Sequence, residues 1–152
     1  MLAPLAQLPG LAQIALQTSR SALVVTQCRT AELRTRRAIE RDTYLARLGP
    51  DLLAPGFSGE EAIRRLRASA AVACGEAIMD QTVLAGIGNV YKSELLFLER
   101  IHPTTPVGEL SEAALGALVA RASKLLARNL GRGPRRTRQG GDGVRLWVYR
   151  RA

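Results

Sequence analysis

Histidine and cysteine are scarce in this chain: one histidine, His102, and two cysteines, Cys28 and Cys74, among 152 residues. The cysteines are far apart and make no C-x-x-C pair, so the chain cannot supply a four-ligand zinc site, and neither metal nor other cofactor is expected. The same spacing argues against a disulfide framework and for reduced thiols in a cytoplasmic protein, each thiol a small core residue. A long unbroken apolar run is also missing. The N-terminal MLAPLAQLPGLAQIAL is apolar, but Pro4 and Pro9 interrupt it and it lacks a basic leading segment, which favours neither a signal peptide nor a membrane span. Acids are in deficit, 13 against 22 lysines and arginines. The resulting charge of +9 makes an anionic partner, nucleic acid first, the leading candidate.

What is present suffices for a core. An apolar fraction of 47% in 152 residues fits one compact domain, or one domain carrying a fragment of another. Two short apolar runs, AQIALQ (12–17) and ALVVT (22–26), flank a polar break at Thr18–Arg20 and Ser21 and predict a strand pair, with 31–33 as a further strand. Two strands alone are marginal in water, so they call for a larger sheet, a helical surface or a protein partner to cover them.

From LGPDLLAPGF onward the pattern turns helical. Ser58 with Glu61 reads as a capping box opening a first helix. An alanine-rich run predicts a second over about 70–79. A third runs from Asn89 to about Arg100, stopped by His102-Pro103, with Tyr91, Leu95 and Leu98 on one face. A fourth begins at Ser111, carries Leu115, Leu118, Val119, Ala122, Leu125, Leu126 and Leu130 as its core stripe, and ends at Gly131 as C-cap. A Gly/Arg-rich loop and a strand-like segment, 144–149, follow. The loop's arginines have only Asp142 nearby as an acid, so like-charge repulsion should keep it mobile until an anion neutralises it.

The stretch DQTVLAGIGNVYKSE raises the question of why two glycines, Gly86 and Gly88, precede a helix. Glycine permits positive φ and close backbone approach. The helix start then offers free N–H groups and the positive end of its dipole, a site suited to phosphate. The plainer alternative is a tight turn with Asn89 as an ordinary N-cap.

LGPDLLAP, DQTVLAGIGNVYKSELLFLERIHP and LWVYRR, in that order, resemble the formamidopyrimidine-DNA glycosylase and endonuclease VIII family of base-excision repair, the endonuclease VIII branch more closely. The resemblance covers about 40–150, and 12–37 more weakly. It implies a mainly α fold: a helix-two-turn-helix domain with a short N-terminal β-strand remnant and a C-terminal strand. The implied divisions are 1–40 as remnant strands of a β-sandwich, 41–57 as linker, 58–131 as the helical domain, and 132–152 as arginine-rich loop and terminal strand.

In that family the asparagine of G-x-G-N contacts the DNA backbone at the damaged nucleotide, together with amides of the preceding turn. Gly86, Ile87, Gly88 and Asn89 are therefore the implied phosphate cradle; Lys92 and, from the charge of the loop, Arg132, Arg135, Arg136 and Arg138 are further candidate DNA contacts. Lys92 reads equally as a solvated charge, Tyr91 and Glu94 as helix packing and helix surface, and His102 as a structural helix stop. The implied partner is double-stranded DNA with damaged or abasic sites, in the cytoplasm at the nucleoid.

The family's nucleophile is an N-terminal proline amine followed by a glutamate that serves as acid and base. Here Pro4 is followed by Leu5-Ala6, the counterpart of the sandwich's catalytic lysine is missing, and no zinc finger follows Tyr149. The expectation is a damaged-DNA-binding relative of the bifunctional glycosylase/AP lyases without catalytic residues of its own. The alternative is an AP lyase using another amine, Lys92 or Lys124, and a third reading is a scaffold or remnant with no selected activity.

Overall fold

The computed structural model describes residues 12–28, 30–131, 133–140 and 143–149, and the chain divides after Asp42 into two compact units. In the first unit Ala12–Gln17 (β1) and Ala22–Thr26 (β2) pair antiparallel over the two runs that the sequence marks as strands. Thr18 closes their turn, its hydroxyl donating to the Ser21 carbonyl at 3.1 Å and accepting from the Ser21 amide at 3.0 Å. Leu16 and Leu23 stay 61% and 56% exposed, so this hairpin has an open apolar surface. The expected strand at 31–33 does not form. Arg34 instead bridges back to Glu32 and on to Asp42, and a short helix, Arg36–Glu40 (α1), starts where the Thr35 hydroxyl accepts from the Ala38 amide.

The second unit is helical. Gly59–Ala68 (α2) begins as its capping box predicts, the Ser58 hydroxyl accepting from the Glu61 amide at 3.2 Å. Glu61 does not reach back to the cap, because its carboxylate binds Arg64 and Arg65. α2 packs on Glu112–Arg128 (α5), whose stripe of Leu115, Leu118, Val119, Ala122, Leu125 and Leu126 is buried as the period requires. Leu130 leaves that stripe and is 69% exposed, because the helix stops at Asn129 rather than at Gly131.

Three expectations fail for identifiable reasons. The helix foreseen over 70–79 shrinks to Cys74–Ala77 (α3), because the backbone before it bonds across to a later loop. Val107 donates to Val72, Gly108 to Ala70, and Cys74 to Thr105, at 2.8–3.0 Å. Long-range backbone bonds here outweigh alanine's helix propensity. Asn89–Leu98 (α4) ends before His102-Pro103: Arg100 adopts φ 55° and the Ile101 amide returns to the Leu96 carbonyl at 2.9 Å, a left-handed termination made without glycine. Residues 144–149 form no strand, since their amides serve a side chain instead of a ladder.

Residues 43–57, where a linker is expected, are built into the helical unit. Gly49 donates to Gln81 at 2.8 Å, Ala85 donates to Pro50 at 3.1 Å, and Leu52 is 2% exposed. Of the two cysteines, Cys74 is a core residue whose thiol burial pushes up to about 11. Cys28 is half-buried in the first unit, its thiol donating to the Thr30 carbonyl at 2.9 Å, and no disulfide joins the two. Among the described residues no helix is long and apolar enough to cross a membrane.

Gly49 lies so close to the turn that a Cβ there would stand 2.5 Å from the Val83 carbonyl carbon and 2.7 Å from the Leu84 nitrogen. Gly49→Ala is expected to cost about 1–3 kcal/mol of unfolding free energy in chemical denaturation. Gly56→Ala, where a Cβ meets nothing within 4 Å, is expected to stay within about 0.5 kcal/mol of the parent.

Candidate nucleic-acid interface

Between α3 and α4 the chain makes two turns, and one side chain sews them together. Gln81 Nε2 donates to the carbonyls of Met79 and Ile87, both at 2.9 Å, while its Oε1 accepts from the Gly86 amide at 3.0 Å. Asp80 closes the first turn by accepting from the hydroxyl and amide of Thr82, at 2.7 and 2.8 Å, and those bonds hold its carboxyl below the usual range. Arg65 of α2 adds a bond to the Thr82 carbonyl at 2.8 Å. Val83, Leu84 and Ile87 point into the core. The loop is thus pinned on its inner side, and its outer side is the start of α4.

The two glycines have different reasons. Gly86 sits at φ 112°, which L side chains rarely adopt. Gly88 is the N-cap of α4 in an extended conformation open to any residue, and a Cβ there would meet nothing within 4 Å. Packing within the chain therefore does not demand glycine at 88, and no side chain caps this helix end. Asn89 is not the cap. It is the first helical residue and exposed, and its Oδ1 accepts from Lys92 Nζ at 3.1 Å.

Beside this end lies the arginine segment, fixed by two side chains. Asn129, the C-cap of α5, accepts from the Arg136 amide at 2.6 Å and donates to the Arg136 carbonyl at 3.0 Å. Glu94, one turn beyond Val90 on α4 and fully buried, accepts from the Thr137 hydroxyl and from the amides of Trp147, Val148 and Tyr149 at 2.6, 2.8 and 2.9 Å. Burial pushes this carboxyl up, but the Thr137 hydroxyl and the three amides more than offset it and leave it below its ordinary value of 4.5. Trp147 also packs on Phe97, ring centres 6.0 Å apart, under the Arg138 guanidinium at 5.0 Å. A cleft of about 510 Å³ remains between Val90 and the segment, lined by Pro134, Arg135, Val144, Arg145 and Tyr149.

Residues 48–139 match the model of the formamidopyrimidine-DNA glycosylase H2TH domain, more than half of the chain. The chain belongs to the formamidopyrimidine-DNA glycosylase and endonuclease VIII family. It is 49% identical over 116 residues to a probable endonuclease 8 2 of Streptomyces coelicolor, and 42% identical over 111 residues to a DNA-(apurinic or apyrimidinic site) lyase of Mycolicibacterium smegmatis. Those matches cover 76% and 71% of this chain, which spans about 42% of the length of either relative. The formamidopyrimidine-DNA glycosylase of Lactococcus lactis, in a crystal structure with FAPY-dG-containing DNA, superposes at a TM-score of 0.55 and 25% identity, over 61% of this chain and 35% of that one. This helical unit is therefore the H2TH domain of a repair-glycosylase family.

Gly86, Gly88, Asn89 and Lys92 lie at the turn and the first helical turn of α4, whereas the Ile87 side chain is 3% exposed and can offer only its backbone. Arg135 lines the cleft and Arg136 is exposed, while Arg138 lies over Trp147. Arg132 lies outside the described residues. Within the arginine loop, Asn129 bonds the backbone of Arg136 and Glu94 the hydroxyl of Thr137. Tyr91 is core, its hydroxyl pushed up by burial against the opposing charge of Arg135. His102 is exposed after α4, its Nδ1 within 2.8 Å of the Thr104 hydroxyl, and Lys124 is exposed on α5. Glu94 is the residue that sequence reasoning undervalues. Its signal was present: it lies in the buried Tyr91–Leu95 stripe, where a carboxylate needs donors.

Because the folded value of Glu94 is depressed, its contribution to stability is fully present above the unfolded value of about 4.5 and is lost as pH falls through the folded value. Trp147, the single tryptophan, reports on it. Its emission maximum is expected to hold steady as pH falls from 7 toward the ordinary carboxylate value of 4.5, and to move to the red only below it.

Proposed function

We propose that these 152 residues are a damaged-DNA-binding module of base-excision repair, which grips duplex DNA at an abasic or damaged site without excising a base. The observation that carries this reading is the uncapped, exposed start of α4 at Gly88–Asn89, where a Cβ would meet open space and Lys92 stands alongside. Free N–H groups and the positive end of a helix dipole favour a phosphate, and Arg135 and Arg145 flank the neighbouring cleft. Relatives named for DNA repair, one of them a lyase acting at apurinic or apyrimidinic sites, and a structural neighbour in complex with lesion-containing DNA support the ligand. The protein would then work at the nucleoid, in the cytoplasm, and the open hairpin carrying Leu16 and Leu23 is where a larger sheet or a protein partner would sit.

Binding by this module needs no metal in our reading. Among the described residues no three histidine, cysteine or acidic side chains gather where an ion could be held. Excision is likewise assigned elsewhere. The family's nucleophile is a proline followed by glutamate, and none of the seven prolines of these residues has glutamate after it. A substitute lysine would have to stand desolvated against the sugar, yet Lys92 is only half-buried and bonded to Asn89 Oδ1, and Lys124 is exposed.

Two measurements test the reading. Borohydride trapping on an abasic-site duplex is expected to yield no covalent complex above background, and a complex lost on Lys92→Met would establish a lyase instead. Asn89→Asp keeps a polar first residue and puts a negative charge at a helix N-terminus, which favours stability by about 0.3–1 kcal/mol. It is expected to preserve or raise the melting temperature while weakening binding to abasic duplex about tenfold, or 1.4 kcal/mol. Unchanged affinity would remove the phosphate from this helix end.

A further inference from the structure

We infer that Glu94 is a positioning residue for DNA binding: it touches no DNA, and it holds Arg135 and Arg145 beside the N-terminus of α4 so that helix end and arginines grip one stretch of backbone together. The inference rests on the DNA-binding reading above and adds the part that makes the grip two-sided. Val90 and Glu94 are four residues apart, hence on one face of α4. Val90 forms one wall of the cleft, and Arg135, Val144 and Arg145 form the other. Beneath them Glu94 gathers the Thr137 hydroxyl and three successive amides, at Trp147, Val148 and Tyr149.

The two arms of the segment meet above that carboxylate. The amides of Thr137 and Arg138 donate to the Arg145 carbonyl at 2.9 and 3.1 Å, so fixing Thr137 and Trp147 fixes the backbone of Arg145 between them. Among its described residues the segment has no strand of its own. Its basic residues repel one another, and a mobile segment would pay an ordering cost each time it closed on DNA. A buried anion answers both problems, since it supplies four acceptor bonds and a negative charge without occupying the cleft.

Glutamine has the size of glutamate but places an N–H₂ against donors that need an acceptor. Glu94→Gln should therefore release the segment while α4 stays helical. Its binding to abasic-site duplex is measured in the parent and in an Arg135→Ala/Arg145→Ala background, with Trp147 emission and far-ultraviolet circular dichroism alongside. The expected results are a loss of about tenfold in the parent, a loss under about twofold when the arginines are already gone, and a red shift of Trp147 at unchanged helicity. A salt slope shallower by about 1.8, two phosphate contacts, should accompany the loss. Thr137→Val, which removes one of the four bonds, should move each quantity the same way by a smaller amount, and it carries the test if Glu94→Gln loses helicity.

Equal losses in both backgrounds would make Glu94 a merely structural residue and overturn the inference, as would unchanged Trp147 emission. Failure of the parent chain to bind the duplex at all would instead sink the DNA-binding reading, and Trp147 would still decide whether Glu94 holds the segment.

Discussion

Glu94 is fully buried, and a carboxylate in that position is tolerable only when donors meet its charge. Here the donors are one hydroxyl and three consecutive amides from a part of the chain more than forty residues away. That requirement works in both directions. The carboxylate needs donors, and the segment around Trp147, short of strand partners, needs an acceptor for its amides. Removing either side leaves unsatisfied polar groups in a nearly dry place, which costs more than the bonds contribute when made. The path of the chain after α5 follows from this constraint, with Asn129 fixing its start and Trp147 against Phe97 covering the junction.

α4 then serves three purposes along its length. Its first turn has glycine as N-cap and no side-chain cap, which leaves its N–H groups open to water or to an anion. Its middle carries Glu94, and its end turns through the left-handed Arg100. The turn before it is held from three sides, by Gln81 within the loop, by Arg65 from α2, and by the backbone of 49–52. A helix end presented on so rigid a mount is pre-organised, so little ordering remains to be done when an anion arrives.

Much of this was legible in the residues. The hairpin, the Ser58 and Ser111 helix starts and most of the α5 stripe were all visible, because each is a local pattern. What failed was non-local. Residues 70–73 read as helix because alanine favours it, but they bond to 105–108 instead. Residues 144–149 read as strand-like, but a carboxylate claims the amides of 147–149. Of the two readings left open for Asn89, the plain N-cap is the one that does not hold, since Gly88 has that position. Arg100 ends α4 early in a conformation that nothing in its identity announces.

The claim on which the account turns is that the backbone amides at the start of α4 meet a DNA phosphate. Titrating the isotope-labelled chain with a short abasic-site duplex and following each amide resonance measures this directly. The largest shifts are expected at Gly88, Asn89 and Val90, with smaller ones at Arg135 and Arg145 and none across the buried stripe of α5. Shifts confined to the arginine segment, with Gly88 to Val90 unmoved, would contradict the account.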